Sequence, residues 1–240
     1  MEREVIPEKP TLIVGLPDVG LVGVIATSHL VSSLHMDEVG ALESELFPPI
    51  IVLHSGVPNA SVRLFSKGSL VAIMAEVAIP AVAMHQVADA IVNWASLKGV
   101  NLVVSLSGMA VQERQNLDKP KVFAAISGEA ASKRLGSAAE IMEEGYIVGP
   151  YALILKKCTE RGIPAITLLA QSYYNHPDPE AAASTLLSLN SILGLNVDIT
   201  ELTRRGEEIR LRARDAMRRT QTEMSRMGKP QEYEVPPLYE

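Results

Sequence analysis

One cysteine, Cys158, occurs in 240 residues. A lone thiol excludes an intramolecular disulfide and any multi-cysteine zinc site, and it fits a reducing compartment. Aromatic residues are scarce as well, at 4%. The core must therefore be built from Ala, Val, Leu, Ile and Met, as in helix-covered parallel sheets. No apolar run suits a membrane span: the stretch 70–84 is interrupted by Glu76 and Pro80 and is shorter than the ~20 residues a span needs. The start, Met1-Glu2-Arg3-Glu4, mixes charges and lacks the apolar run of a secretory leader. These absences predict a cytoplasmic protein with no membrane partner. The five histidines, at 29, 35, 54, 85 and 176, have no metal-ligand spacing, and neither H-E-x-x-H nor C-x-x-C occurs. No metal, cofactor or catalytic residue is assigned.

Hydrophobic residues make up 47% of the chain, enough for a sizeable core. The net charge of −6 is unevenly spread. Residues 204–227 hold eight arginines against four acids, whereas 228–240 hold one Lys and three Glu. The remaining body is strongly acidic, which argues against general nucleic-acid binding. The arginines read as the solvated face of a helix.

Thr11–Gly15 is a short apolar run ended by Gly, a buried first strand. A helix over 21–34 follows, with Asp18 placed to cap it. Strands are predicted at 38–42, 50–54, 61–65 and 70–77, the last two joined by a Lys67-Gly68 hairpin turn. A helix over 84–97 stops at Gly99. Strands at 101–106 and 122–126, a helix over 150–161 and a strand at 164–170 come next. Asp178-Pro179-Glu180 opens a helix to about 193, with Asp at the cap, Pro at the first position and an acid in the first turn. Alternating strands and helices predict an α/β fold: a mostly parallel sheet covered by helices on both faces.

Residues 198–227 read as one long helix. A narrow stripe of Leu202, Ile209, Ala213, Ala216, Met217, Met224 and Met227 suits packing on the body or a partner. Residues 228–240 form a Pro-containing tail, since Pro230, Pro236 and Pro237 fit neither a helix nor a central strand. The chain thus divides into an α/β domain over 1–197, the Arg-rich helix over 198–227 and the tail over 228–240.

Three constellations and one lone thiol could carry function. Gly15, Gly20 and Gly23 lie between a strand and a helix, where backbone N–H groups can cradle phosphate. Their spacing is neither G-x-G-x-x-G nor a P-loop, and the steric freedom of Gly explains them as well through a tight turn and close helix packing. Ser105 to Met109 occupies the C-terminal end of a strand, the place of ligand sites in α/β proteins, without being a G-x-S-x-G elbow. Cys158, beside Lys156 and Lys157, reads as a buried inert thiol more readily than as an activated one. The third constellation is the terminus. Leu238 can fill an apolar slot, Tyr239 supplies a rigid ring with a hydroxyl, and the Glu240 α-carboxylate can pair with a cation in a receiving pocket.

Several stretches resemble the proteasome-assembly-chaperone family in its archaeal form. They are Leu12 to Gly23, Phe47-Pro48-Pro49-Ile50, His85 to Val100, Gly149-Pro150-Tyr151, Gly162 to Ala165, and Asp178 to Leu195. Their order and spacing, over about 10–210, carry the resemblance rather than any one motif. It implies a phosphorylase/hydrolase-like fold, self-association and binding to the α-subunits of the 20S proteasome. Some archaeal relatives end in hydrophobic-Tyr-any, which Leu238, Tyr239 and Glu240 match position by position. The polar loop 113–121 matches no shared motif.

The leading expectation is a binding protein that docks on the proteasome α-ring as an assembly chaperone or ATP-independent ring-binding factor. A homo-oligomer of even number, such as a tetramer, is expected. The alternative is an enzyme acting on a nucleoside or phosphorylated ligand at the glycine turn 15–23 and loop 105–109. An Arg-helix nucleic-acid binder is the least favoured reading.

Overall fold

In a computed structural model, which describes residues 6–227, the apolar runs form an eight-stranded mixed sheet with helices on both faces. The strands are β1 (Thr11–Gly15), β2 (Asp37–Ala41), β5 (Val62–Lys67), β6 (Leu70–Ala75), β7 (Leu102–Ala110), β8 (Val122–Ser127), β9 (Glu140–Ile141) and β10 (Ala165–Ser172). A separate hairpin pairs β3 (Val52–His54) with β4 (Val57–Asn59). The sheet order is β2-β5-β6-β1-β7-β10-β8-β9. Its centre, β6-β1-β7-β10, is parallel, and these strands are buried on both faces, as near-continuous apolar runs demand.

Strand alternation sorts the core into two layers. Ile13, Ala72, Val104 and Ile166 face one side, packed under α1 (Val22–Ser33), α3 (Gly128–Leu135), α5 (Pro179–Leu193), α6 (Thr200–Arg204) and α7 (Gly206–Arg226). Leu12, Val14, Val71, Ile73 and Val103 face the other, under α2 (Met84–Leu97) and α4 (Pro150–Glu160). The first layer holds more of the buried aliphatics and includes Met217 and Met224 of α7.

Several sequence expectations are corrected. The strand expected at 122–126 is present as β8; its antiparallel pairing with β10 is a direction that local periodicity does not report. The strand at 101–106 extends to Ala110, so Ser105, Ser107 and Gly108 lie inside β7, paired with Thr167, Leu169 and Ala170, rather than in a loop. The strand at 50–54 begins at Val52 and belongs to the separate hairpin. The single helix expected over 198–227 breaks at Arg205, which leaves the helical region at φ −104°, ψ 21°. Asp18 precedes the first helical turn but makes no side-chain cap bond. Its carboxylate instead accepts from the Ser107 hydroxyl. The Asp178 cap does form, accepting from the Ala181 N–H at 3.0 Å.

Candidate functional site

In parallel α/β sheets the carboxyl ends of the strands are where ligands usually sit. Here the part of that edge that follows β1 is filled by the chain's own groups. All of residues 15–23 are buried. A Cβ on Gly15 would lie 2.1 Å from Thr27 Oγ1, and one on Gly23 would lie 2.2 Å from the Leu106 carbonyl oxygen. At Gly20, φ is +59° and a Cβ would meet Ser172 Oγ at 2.0 Å. The three glycines therefore let β1, β7, β10 and α1 approach closely, which favours the packing role over a phosphate cradle.

Side chains tie the same edge together. Ser107 Oγ donates to Asp18 Oδ2 at 2.8 Å. From the opposite layer, the buried Tyr151 hydroxyl donates to the Leu16 carbonyl at 2.8 Å and accepts from the Leu16 N–H at 2.6 Å. Burial raises the Tyr151 phenol well above its usual value, and the Asp18 charge adds to this. The phenol thus stays protonated and holds the turn after β1.

Arg114, from the loop that matches no family motif, is almost wholly buried. Its Nε donates to Asp178 Oδ2 at 2.7 Å and its Nη2 to Asp178 Oδ1 at 3.1 Å, a bidentate pair. Nη2 also donates to Glu180 Oε2 at 2.8 Å, and Nη1 to the Leu117 carbonyl at 2.9 Å. The guanidinium stacks over the Tyr173 ring at 5.1 Å. Burial works to lower the Arg114 pKa, but its bonds and charge pairing with Asp178 and Glu180 outweigh that and raise it. Asp178 N–H in turn donates to the Gly20 carbonyl at 2.8 Å. One buried ion pair thus joins the 113–121 loop, the start of α5 and the glycine turn.

The last cover is α7. It lies against the turns that follow β1 and β6, with Met217, Thr220 and Met224 buried. Glu223 Oε2 accepts from the Ala81 N–H at 3.1 Å, and Gln221 Nε2 donates to the Asn175 carbonyl at 3.2 Å. Along its exposed side Arg210 pairs with Glu207, Arg212 with Glu208, and Arg226 with Glu223. Among the described residues, a depression of about 700 Å³ remains beside this cover, lined by Tyr173, Tyr174, His176, Gln112 and Arg210 among others.

Of the other residues singled out in sequence, Cys158 is buried in α4 and burial pushes its thiol up to about 12, so it is inert at neutral pH. His176 is exposed and bonded to Asn175 Oδ1 at 2.6 Å. Among the described residues no three His, Cys, Asp or Glu side chains converge as metal ligands, and no helix is long and apolar enough to cross a membrane. Leu238, Tyr239 and Glu240 lie outside the described residues. Sequence reading missed Arg114 and Tyr151 as structural linchpins, because neither spacing nor composition marks a contact made across so many residues.

The profile of the PAC2 family matches residues 12–217. The chain belongs to the PAC2 family. Its fold superposes on PbaA of Pyrococcus furiosus, an archaeal homologue of proteasome-assembly chaperone, with a TM-score of 0.85 and 30% identity, covering 91% of this chain and 97% of that one. PbaB of the same organism, an archaeal proteasome activator, matches at a TM-score of 0.76 and 25% identity, covering 90% and 96%. An uncharacterised protein of Methanocaldococcus jannaschii is 30% identical over 202 residues, 84% of this chain and 83% of that protein. The chain therefore has the proteasome-assembly-chaperone-like fold, and the phosphorylase/hydrolase-like α/β expectation holds in its mostly parallel, doubly covered sheet.

Proposed function

We propose that this PAC2 protein is a non-enzymatic factor that docks on the α-ring of the 20S proteasome through Leu238, Tyr239 and Glu240. Its role would be that of an assembly chaperone or an ATP-independent ring-binding factor. The observation that carries the reading is the apolar-Tyr-any terminus on a chain whose structural neighbours include an assembly-chaperone homologue and a proteasome activator. In this reading Leu238 fills an apolar slot between adjacent α-subunits. The Tyr239 hydroxyl and the terminal carboxylate bind polar and cationic groups there. A homo-oligomer in the cytoplasm would present several termini at once, and effective concentration would turn weak single contacts into useful avidity.

The filled turn after β1 supports a binding role over phosphate-ligand chemistry at that turn. The turn at Gly15, Gly20 and Gly23 has its Cβ positions occupied, and Ser105 and Ser107 are buried within β7.

The test compares the full chain with a chain ending at Pro237 for binding to a matched 20S proteasome, by sedimentation and native gel. Binding by the full chain and its loss on truncation is the expected result. No binding by either chain at tens of micromolar, or equal binding by both, overturns the proposal.

A further inference from the structure

A cleft of about 390 Å³ lies where the last turns of α7 face the loop after β2. One wall is apolar, with Leu46, Phe47, Ile50 and Val77. The other is the face of α7 that carries Arg219, Glu223 and Arg226. Glu223 is engaged through both oxygens: Oε1 accepts from Arg226 Nη1 at 2.6 Å and Oε2 from the Ala81 N–H at 3.1 Å. Arg219 makes no ion pair among the described residues. With two guanidinium groups against one committed carboxylate, the cleft keeps a positive balance beside an apolar floor. Its chemistry suits a segment that alternates acids with apolar or aromatic side chains.

Such a segment lies a few residues away in the chain. The described residues end at Met227, next to Arg226 of the cleft wall, and Glu232-Tyr233-Glu234-Val235 follows. In an extended segment Glu232 and Glu234 project to one side, Tyr233 and Val235 to the other. One side matches Arg219 and Arg226, and the other matches the apolar wall. The residues between Arg226 and Glu232 can span roughly 17 Å, about 3.3 Å each, which is ample to fold back on a cleft that starts at Arg226.

We propose that this cleft receives residues 232–235 of the chain's own C-terminal segment. The contact parks the start of the tail on the body and leaves Leu238, Tyr239 and Glu240 beyond it. This goes past the ring-docking reading and does not depend on it.

Disulfide trapping in the full chain tests this directly. The native thiol of Cys158 is buried and pushed up to about 12, so introduced thiols react alone. Pro236→Cys is combined either with Leu46→Cys at the cleft or with Leu211→Cys on α7. Leu46 and Leu211 are exposed at 37% and 61%, so both substitutions are compatible with folding. Leu211 lies roughly 22 Å along the helix from Arg226 at ~1.5 Å per residue, within reach of an unattached residue 236. With oxidised glutathione at submicromolar protein, the intrachain disulfide at Leu46→Cys should form at least tenfold faster than that at Leu211→Cys. Adding Arg219→Glu and Arg226→Glu should slow it at least fivefold, as should an excess of synthetic 228–240 peptide. Equal rates at the two positions, indifference to charge reversal, or products that are only interchain would each overturn the proposal. A failure of ring binding would leave all these readouts unaffected.

Discussion

Gly23 shows how one missing side chain sets the distance between layers. It sits in α1 where the helix meets β7, and a Cβ would fall 2.2 Å from the Leu106 carbonyl oxygen and 2.6 Å from the Tyr151 hydroxyl. The first of these is backbone inside a central strand and cannot step aside. Gly23→Ala should therefore destabilise the protein by about 1–3 kcal/mol, the usual cost of overpacking, read as a lower urea midpoint at unchanged slope. Arg114 makes the complementary argument, because here a side chain is present and fully committed. Arg114→Met would leave the Asp178 carboxylate, which has no exposure, without its cation. Breaking one side of a buried pair costs about 3–5 kcal/mol, whereas removing both charges costs less. The expected outcome is a large loss of stability in Arg114→Met and partial recovery in Arg114→Met with Asp178→Asn, measured by chemical denaturation. A double variant as unstable as the sum of the two singles would show that the pair is not coupled.

At the scale of elements, Tyr151 fastens α4 in one layer to the turn after β1, which leads into the other. Its phenol is raised in the fold, chiefly by burial, so the folded state holds a proton that the unfolded chain gives up near pH 10. The stabilising contribution is complete below that value and is lost as pH rises beyond it. Stability should fall by up to about 1.4 kcal/mol per pH unit above pH 10 from this group alone. Tyr151→Phe should flatten that slope while lowering stability at pH 7 by about 1–3 kcal/mol, since the Leu16 N–H and carbonyl lose their partner. Denaturation series at pH 7 to 11.5 on both proteins check this, and parallel curves would refute it. Much of this element level was legible in advance. Aliphatic runs marked β1, β6 and β10. The Lys67-Gly68 turn marked the β5–β6 hairpin, where Gly68 takes φ +56°. Asp178-Pro179-Glu180 marked the start of α5. The pieces that escaped were short or depended on distant partners. Strand β4 has three residues, one of them Pro58, and β9 has two, too few for any alternation to register. Helix α3 follows a strand with no loop between and has a polar surface, so its period was not seen. The glycines of the candidate site were visible as a cluster, but the atoms filling their Cβ positions come from α1, β7 and β10. Arg114 and Asp178 stand 64 residues apart, and local pattern does not report such a pairing.

For the whole molecule the decisive quantity is where charge is free to act. The chain is acidic at −6, and its one basic segment, 204–227, could still attract a polyanion if its arginines were available. Arg204, Arg205, Arg210, Arg212 and Arg226 are paired with glutamates on neighbouring turns or, for Arg210, also with Glu180 of α5. Among the described residues only Arg214, Arg218 and Arg219 of that segment form no ion pair. Binding to duplex DNA gains about 0.9 in the slope of log affinity against log salt for each phosphate neutralised. Three free arginines thus limit the slope to roughly −3, while eight would give roughly −7. The acidic body opposes even the smaller number through long-range repulsion, which weakens only as the Debye length contracts to about 10 Å at 0.1 M. Fluorescence anisotropy of a labelled duplex between 20 and 200 mM salt should therefore show weak binding at the low end and none at the high end. A steep slope near −7 with submicromolar affinity would mean that the glutamates release their arginines to a polyanion. The basic helix would then have to be counted as a nucleic-acid surface. A shallow slope leaves α7 the part its buried face already plays, covering the turns that follow β1 and β6.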